Sequence, residues 1–348
     1  MTTLIASGMT LRLGSGAIIQ GGSVQAPPAY VAFSDNGTNK VARYAGDGTT
    51  TPVWETTLSD HGTALGVDVT NQKIFAADSN DILTKIDAAT GAVDWTVDVG
   101  DIVDGPRIAV DENGHAYVAF RGSSDALATK KINGSNANTI WSSSTTYDAG
   151  RSTIYSQAQN AVYVCHQDGH NAGLIKYNAS TGVEIWKKNS SDTLVSSAGA
   201  PANPIDGVLL PDGNIALATS GWTGSQNRGH LFVLNASTGA QIVKQNLVAP
   251  HSGGSIVADS THVFMSTSGA GGAYFYAWEH DGTNLVTNTS ITSIRSMGYR
   301  ESKDQAYLAD SVNGDLLPMN ATSTSINFGA SIGNDGRNGG SWPILFLD

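Results

Sequence analysis

Two stretches of this chain are nearly the same: DAATGAVDW at 87–95 and NASTGVEIW at 178–186, with a third, NASTGAQIV, at 235–243. Aligning their glycines with Gly48, Gly134 and Gly282 gives spacings of 43, 43, 48, 57 and 43 residues, and a further turn falls near Asn320. Periods of about 40–50 residues mark repeat architectures, in which each unit buries its apolar surface only by stacking on its neighbours. Within the second unit, ALGVDV, KIFAAD, ILTKID and AVDWTVDV are four short apolar or alternating runs parted by turn residues. Such runs read as strands, and no segment carries a sustained 3.6-residue pattern with caps. Four strands per unit predict an all-β, seven-bladed β-propeller of four-stranded antiparallel blades.

The glycine of the repeat suits a tight turn between third and fourth strands, because it accepts the positive φ such a turn demands. Asp or Asn at the turn entry bonds its own backbone two residues on. Trp54, Trp95, Trp141 and Trp186 then fall early in the outermost strand, where large rings pack against the next blade. Val243, Val286 and Phe328 hold that place in the remaining units. These tryptophans are expected to dock blades together rather than to do chemistry.

The blades are expected to begin near Tyr30, Ala64, Arg107, Ser152, Gly207, Gly254 and Ser293. YVAFSD corresponds to a second strand, so the first unit lacks an innermost strand on its N-terminal side. The closing SWPILFLD has the character of an inner strand, and the C-terminal strand is expected to complete the first blade and cover its edge. This divides the chain into an N-terminal arm, residues 1–29, and a seven-bladed propeller, residues 30–348.

DAATGAVDW and NASTGVEIW resemble the tryptophan-docking repeats of quinoprotein-like (PQQ-like) β-propellers over roughly residues 30–348. The resemblance implies the fold and no chemistry by itself, since one fold hosts many functions. Quinoprotein dehydrogenases stack their cofactor on a pair of adjacent cysteines, whereas this chain has Cys165 alone. No cofactor and no metal is therefore expected.

Composition narrows the partners. The formal net charge is -11, from 30 acidic and 19 basic residues. The basic ones are scattered, while binding to a phosphate backbone needs a concentrated positive stripe. Nucleic acid is not an expected partner. No apolar run reaches the length of a membrane span, and MTTLIASGMTLRL lacks the basic start of a secretory signal. Membrane insertion and signal-directed export are not expected.

The sequence holds no HExxH, no Walker loop and no GxGxxG. CHQDGH at 165–170 holds residue types that ligate metals, but its place between a second and a third strand reads as a polar loop. DENG at 111–114 and PDGN at 211–214 read as hairpins. Seven N-x-S/T triplets, beginning at Asn36, Asn133, Asn178, Asn189, Asn235, Asn288 and Asn320, read mostly as turns rather than glycosylation sites. The longer connections all fall at second-to-third or blade-to-blade positions, which emerge on one face of a propeller. Loops on a rigid scaffold commonly carry function, so the candidate binding face comprises Arg107, Arg151, His166, His170, Trp222, Arg228, His251 and Arg337.

Two classes of function fit. The first is a non-enzymatic interaction protein, held in a larger assembly by its N-terminal arm and meeting other protein subunits, or a host-surface glycan or protein, through the loop-rich face. In style it resembles a phage virion component such as a tail, fibre-associated or capsid-surface protein, which places it in a virion. The second is an enzyme acting on a glycan or another polymer with channel carboxylates such as Asp104, Asp148, Asp206 or Asp335, a chemistry that needs two carboxyls about 5–10 Å apart. A periplasmic assembly scaffold is a further alternative.

Overall fold

The computed structural model describes residues 10–12, 18–20, 30–33, 39–45, 51–100, 107–121, 127–144, 149–168, 171–188, 202–221, 230–246, 252–269, 272–288, 294–310, 316–322, 325–328 and 344–347. They form seven four-stranded antiparallel sheets, here blades 1–7, and one two-stranded sheet. Each blade meanders from an innermost to an outermost strand. Blade 2 runs Gly62–Asp68, Lys73–Asp78, Ile82–Asp87, Val93–Asp98. Blade 3 runs Ala109–Val110, Ala116–Arg121, Leu127–Ile132, Thr139–Ser144, and blade 4 Ala149–Ser156, Ala161–Asp168, Asn171–Asn178, Glu184–Lys188. Blade 5 opens with Ala202–Leu209, blade 6 with Ser252–Ala258 and blade 7 with Ile294–Arg300.

Blade 1 is built from both ends of the chain. Leu345–Phe346 supplies its innermost strand, beside Tyr30–Phe33, Lys40–Tyr44 and Trp54–Thr57. Tyr30 pairs Phe346 and Val31 pairs Leu345, as the missing inner strand of the first unit implied. Thr10–Arg12 pairs Ile18–Gln20 in the separate two-stranded sheet.

Burial explains why the second strands read as near-continuous apolar runs. Successive side chains point to opposite faces of a sheet, and both faces of a blade are covered. Ile74 packs with Val41 and Leu347 of blade 1, while its neighbour Phe75 packs with Ala116 and Val118 of blade 3. Tyr117 with Val162 joins blades 3 and 4, and Tyr163 with Leu217 joins blades 4 and 5. Leu231 with Met265 joins blades 5 and 6, Phe264 with Leu308 joins 6 and 7, and Tyr307 with Phe346 joins 7 back to 1. Seven apolar clusters in cyclic order thus link each blade to the next. Burial falls outward: in blade 2 the second strand is almost wholly buried, whereas the outermost alternates between exposed and half-buried.

Candidate functional site

The repeated turn is held by its first residue. Asp87 Oδ1 accepts the backbone N–H groups of Ala89 at 3.1 Å and Thr90 at 2.9 Å, while Gly91 N donates to Asp87 O at 2.8 Å. Asn178 makes the same bonds to Ser180 and Thr181, and Asn235 to Ser237 and Thr238. Those two N-x-S/T triplets are therefore turn devices, their carboxamide oxygens occupied by the turn backbone. A hydrogen bond from Lys73, joined by bonds from Thr90, holds the Asp87 carboxyl well below the usual carboxylate range.

Each turn receives the tryptophan of the preceding blade. The indole N–H groups of Trp54, Trp95, Trp141 and Trp186 donate to Ala88 O, Gly134 O, Ala179 O and Ser237 O at 3.0–3.1 Å. Two residues after Trp54 and Trp141, the hydroxyls of Thr56 and Ser143 donate to Gly91 O and Gly182 O, both at 2.6 Å. Lysines of the adjacent third strands aim at the same turns: Lys85 Nζ reaches Gly134 O, Lys131 Ala179 O, and Lys176 Ala236 O. Burial pushes the Lys85 and Lys176 amines down. The glycine is thus needed twice. Gly182 has φ +72°, and a Cβ on it would come within 2.6 Å of the Trp141 ring.

One turn differs from the sequence alignment. In blade 3 the left-handed position belongs to Ala137, with φ 63°, while Gly134 lies three residues earlier. Gly134 is required for another reason, since a Cβ there would overlap the Gly114 carbonyl. Ala137 stands four residues before Trp141, as Gly91 does before Trp95, so the offset to the tryptophan marks this turn better than the glycine does.

At the axis, the guanidinium of Arg107 reaches out of blade 3. Its Nε donates to both oxygens of Asp206 in blade 5, at 3.0 and 2.9 Å, and Nη2 donates to Ile256 O in blade 6 at 2.6 Å. Ser152 Oγ of blade 4 donates to Asp206 Oδ1 at 2.7 Å, and Gly207 N to the same oxygen at 2.9 Å. The Asp206 side chain is fully buried and that of Arg107 is 19 % exposed. Four blades thus meet on one ion pair. Beside it lies a cavity of about 250 Å³ lined chiefly by Leu65, Val67, Ile108, Val110, Ile154, Leu209 and Leu345.

Of the expected face residues, Arg107, Arg151 and His166 are described. Arg107 is committed to Asp206, and His166 is fully buried in the second strand of blade 4, where it packs over Gly173. For His166 the expectation of a displayed side chain is corrected, because a second strand packs on both faces, whereas Arg107 stays partly exposed beside the cavity described above. Arg151 lies on the innermost strand of blade 4, half-buried. His170, Trp222, Arg228, His251 and Arg337 lie outside the described residues, as do Asp104, Asp148 and Asp335.

The ligand-like residues do not converge. Cys165 is wholly buried in the cluster between blades 4 and 5, where burial pushes its thiol far up. His166, next along the strand, points to the opposite face. Among the described residues no three His, Cys, Asp or Glu side chains form a group able to hold a metal. A quinone cofactor of the dehydrogenase kind does not fit either. The sequence has no second cysteine to make the pair, and among the described residues Arg107 and Asp206 already neutralise each other. Asp111, of the DENG hairpin, is likewise consumed: burial opposes its charge, but Lys131 Nζ at 2.8 Å and the His115 N–H outweigh this and lower its pKa.

Sequence reasoning had named Arg107 and Asp206 separately, in different roles. It missed Ser152, the hydroxyl of Ser255 that accepts from Arg107 Nη2 at 3.4 Å, and the aliphatic cavity wall. No local signal marks them, since their meeting depends on the relative depth of strands in four blades.

A family described as outer membrane protein assembly factor BamB matches residues 12–154 and 83–327. Among solved structures, BamB from Moraxella catarrhalis is similar with a TM-score of 0.57 at 15 % identity, covering 94 % of this chain and 91 % of that one. Sqt1 from Saccharomyces cerevisiae gives 0.59 at 12 % identity, covering 87 % and 86 %, and U3-55K gives 0.58 at 10 %, covering 78 % and 81 %. Identities this low speak for the fold alone. No curated protein sequence matches the chain.

Proposed function

We propose, from the premise that this chain belongs to the propeller family described as outer membrane protein assembly factor BamB, that it is a non-enzymatic scaffold that binds other proteins. The observation carrying this reading is where large aliphatic residues stay exposed. Val53, Val93, Ile140, Val183, Ile185, Ile242 and Leu285 are 37–63 % exposed, and all lie on or beside the outermost strands of six consecutive blades. Single exposed aliphatics are ordinary. Their recurrence at the free edge of one blade after another is not, because a strand edge with apolar side chains is a template for pairing with another chain.

The finer role is assembly of other proteins, which the family description supports for this chain. A virion component held by its N-terminal arm is the second possibility; it rests on the style of the sequence and draws nothing from the comparisons, as does a host-surface glycan ligand. The test is photo-crosslinking in the producing cell from probes at Ile185 and Ile242, with adducts identified by mass spectrometry. Defined protein adducts that disappear when the neighbouring aliphatic is changed to Asp support the scaffold. Recovery of adducts among envelope-assembly proteins favours the first role, and among virion proteins the second. Absence of adducts from both edges rejects the reading.

A further inference from the structure

The axial cavity and the hairpins around it differ in chemistry. Of the ion pair only Arg107 lines the cavity, and that guanidinium is already paired with the buried Asp206, so it offers no net charge to an ion. The cavity walls are aliphatic, from Leu65, Val67, Ile108, Ile154 and Leu209. At about 250 Å³ it falls below the range of roughly 300–1,000 Å³ usual for small-molecule sites, but it accommodates one bulky side chain. The inner strands that line it run straight into the hairpins at 69–72, 112–115, 157–160 and 211–214. Tyr155, in the cavity wall, donates to Glu112 Oε2 at 2.6 Å, which ties that hairpin carboxylate to the wall. Glu112 and Asp212 are exposed, Val69 is 43 % exposed, and none of the four hairpins contains Lys or Arg.

From this juxtaposition we infer that the axial cavity is an anchor pocket for a protein partner, taking one large apolar side chain from a segment whose flanking residues are Lys or Arg. An apolar anchor seated against the aliphatic walls supplies the binding energy, and the acidic hairpins select its flanks. The inference rests on the scaffold reading and deepens it by placing one contact on the axis.

The experiment titrates the full chain with the amidated peptide acetyl-Lys-Arg-Phe-Lys-Arg, with the same peptide carrying Gly for Phe, and with a Glu-flanked Phe peptide, by calorimetry. Binding of the first is expected, with a loss on the order of tenfold or more for the Gly peptide. V110F and V208F, which fill the cavity, should abolish it, with retained tryptophan fluorescence and melting showing that each variant folds. The double variant Glu112→Lys with Asp212→Lys leaves the cavity open and should shift preference to the Glu-flanked peptide. No binding at roughly 1 mM, equal binding of the Phe and Gly peptides, or unchanged binding by a folded cavity-filled variant overturns the inference. Edge adducts from Ile185 that persist beside any of those results leave the scaffold reading standing; peptide binding without edge adducts rejects the edge reading alone.

Discussion

Removing Arg107 should cost far more stability than removing its partner, and the asymmetry follows from burial. Asp206 is fully buried and accepts two bonds from Arg107 Nε, with Ser152 Oγ and Gly207 N as its other close donors. Arg107→Met takes away the cation and leaves that carboxylate in the ring, a change that costs about 3–5 kcal/mol. Asp206→Asn leaves Arg107 with its bond to Ile256 O and with partial solvent access, so its cost is that of weakened hydrogen bonds, about 1–3 kcal/mol. In R107M/D206N no charge remains buried, and the double variant should be more stable than R107M alone. Urea denaturation followed by tryptophan fluorescence gives the three differences, and the cycle should show a coupling of about 2 kcal/mol or more. An R107M midpoint equal to that of the parent, or effects of the two changes that simply add, would refute the view that this pair clamps four blades at the axis.

Three further outcomes are expected. Gly182→Ala forces a Cβ into a left-handed turn against the Trp141 ring and should cost about 1–3 kcal/mol, whereas Trp141→Phe, losing the bond to Ala179 O, should cost about 1 kcal/mol; thermal melts compare them. Truncation after residue 342 removes the inner strand of blade 1 and exposes the edge at Tyr30–Phe33, so the product should associate or precipitate, read by light scattering. His115 Nδ1 accepts the Gly134 N–H at 3.2 Å, and burial lowers its pKa from 6.5. The folded state therefore resists protonation: the stability His115 contributes is complete above pH 6.5 and declines as pH falls below it. H115N, which retains an acceptor, should flatten denaturation midpoints measured from pH 7 to 5.

How much was legible in the text can be argued from particular residues. The Asp87–Gly91 turn, the four-residue step to Trp95 and the orphan YVAFSD strand carry their structural meaning locally, because turn chemistry and strand alternation are short-range. Gly134 misled for the same reason: a glycine can serve a positive φ or a close approach, and the sequence does not say which. His166 was misread because a polar residue at the end of an apolar strand looks like the start of a loop, whereas here it packs over Gly173.

The sequence by itself determined the repeat, the four strands of each unit, the seven-fold count and the borrowed C-terminal strand, because each follows from periodicity and from an edge that needs covering. Only the tertiary structure decided that Arg107 and Asp206, 99 residues apart, would meet on the axis, that Ser152 of the blade between them would join the pair, and that a small aliphatic cavity would remain beside it. Those outcomes depend on how seven twisted sheets are tilted and set in depth about a common centre. That geometry arises from the packing of blade on blade and is written in no single segment of the chain.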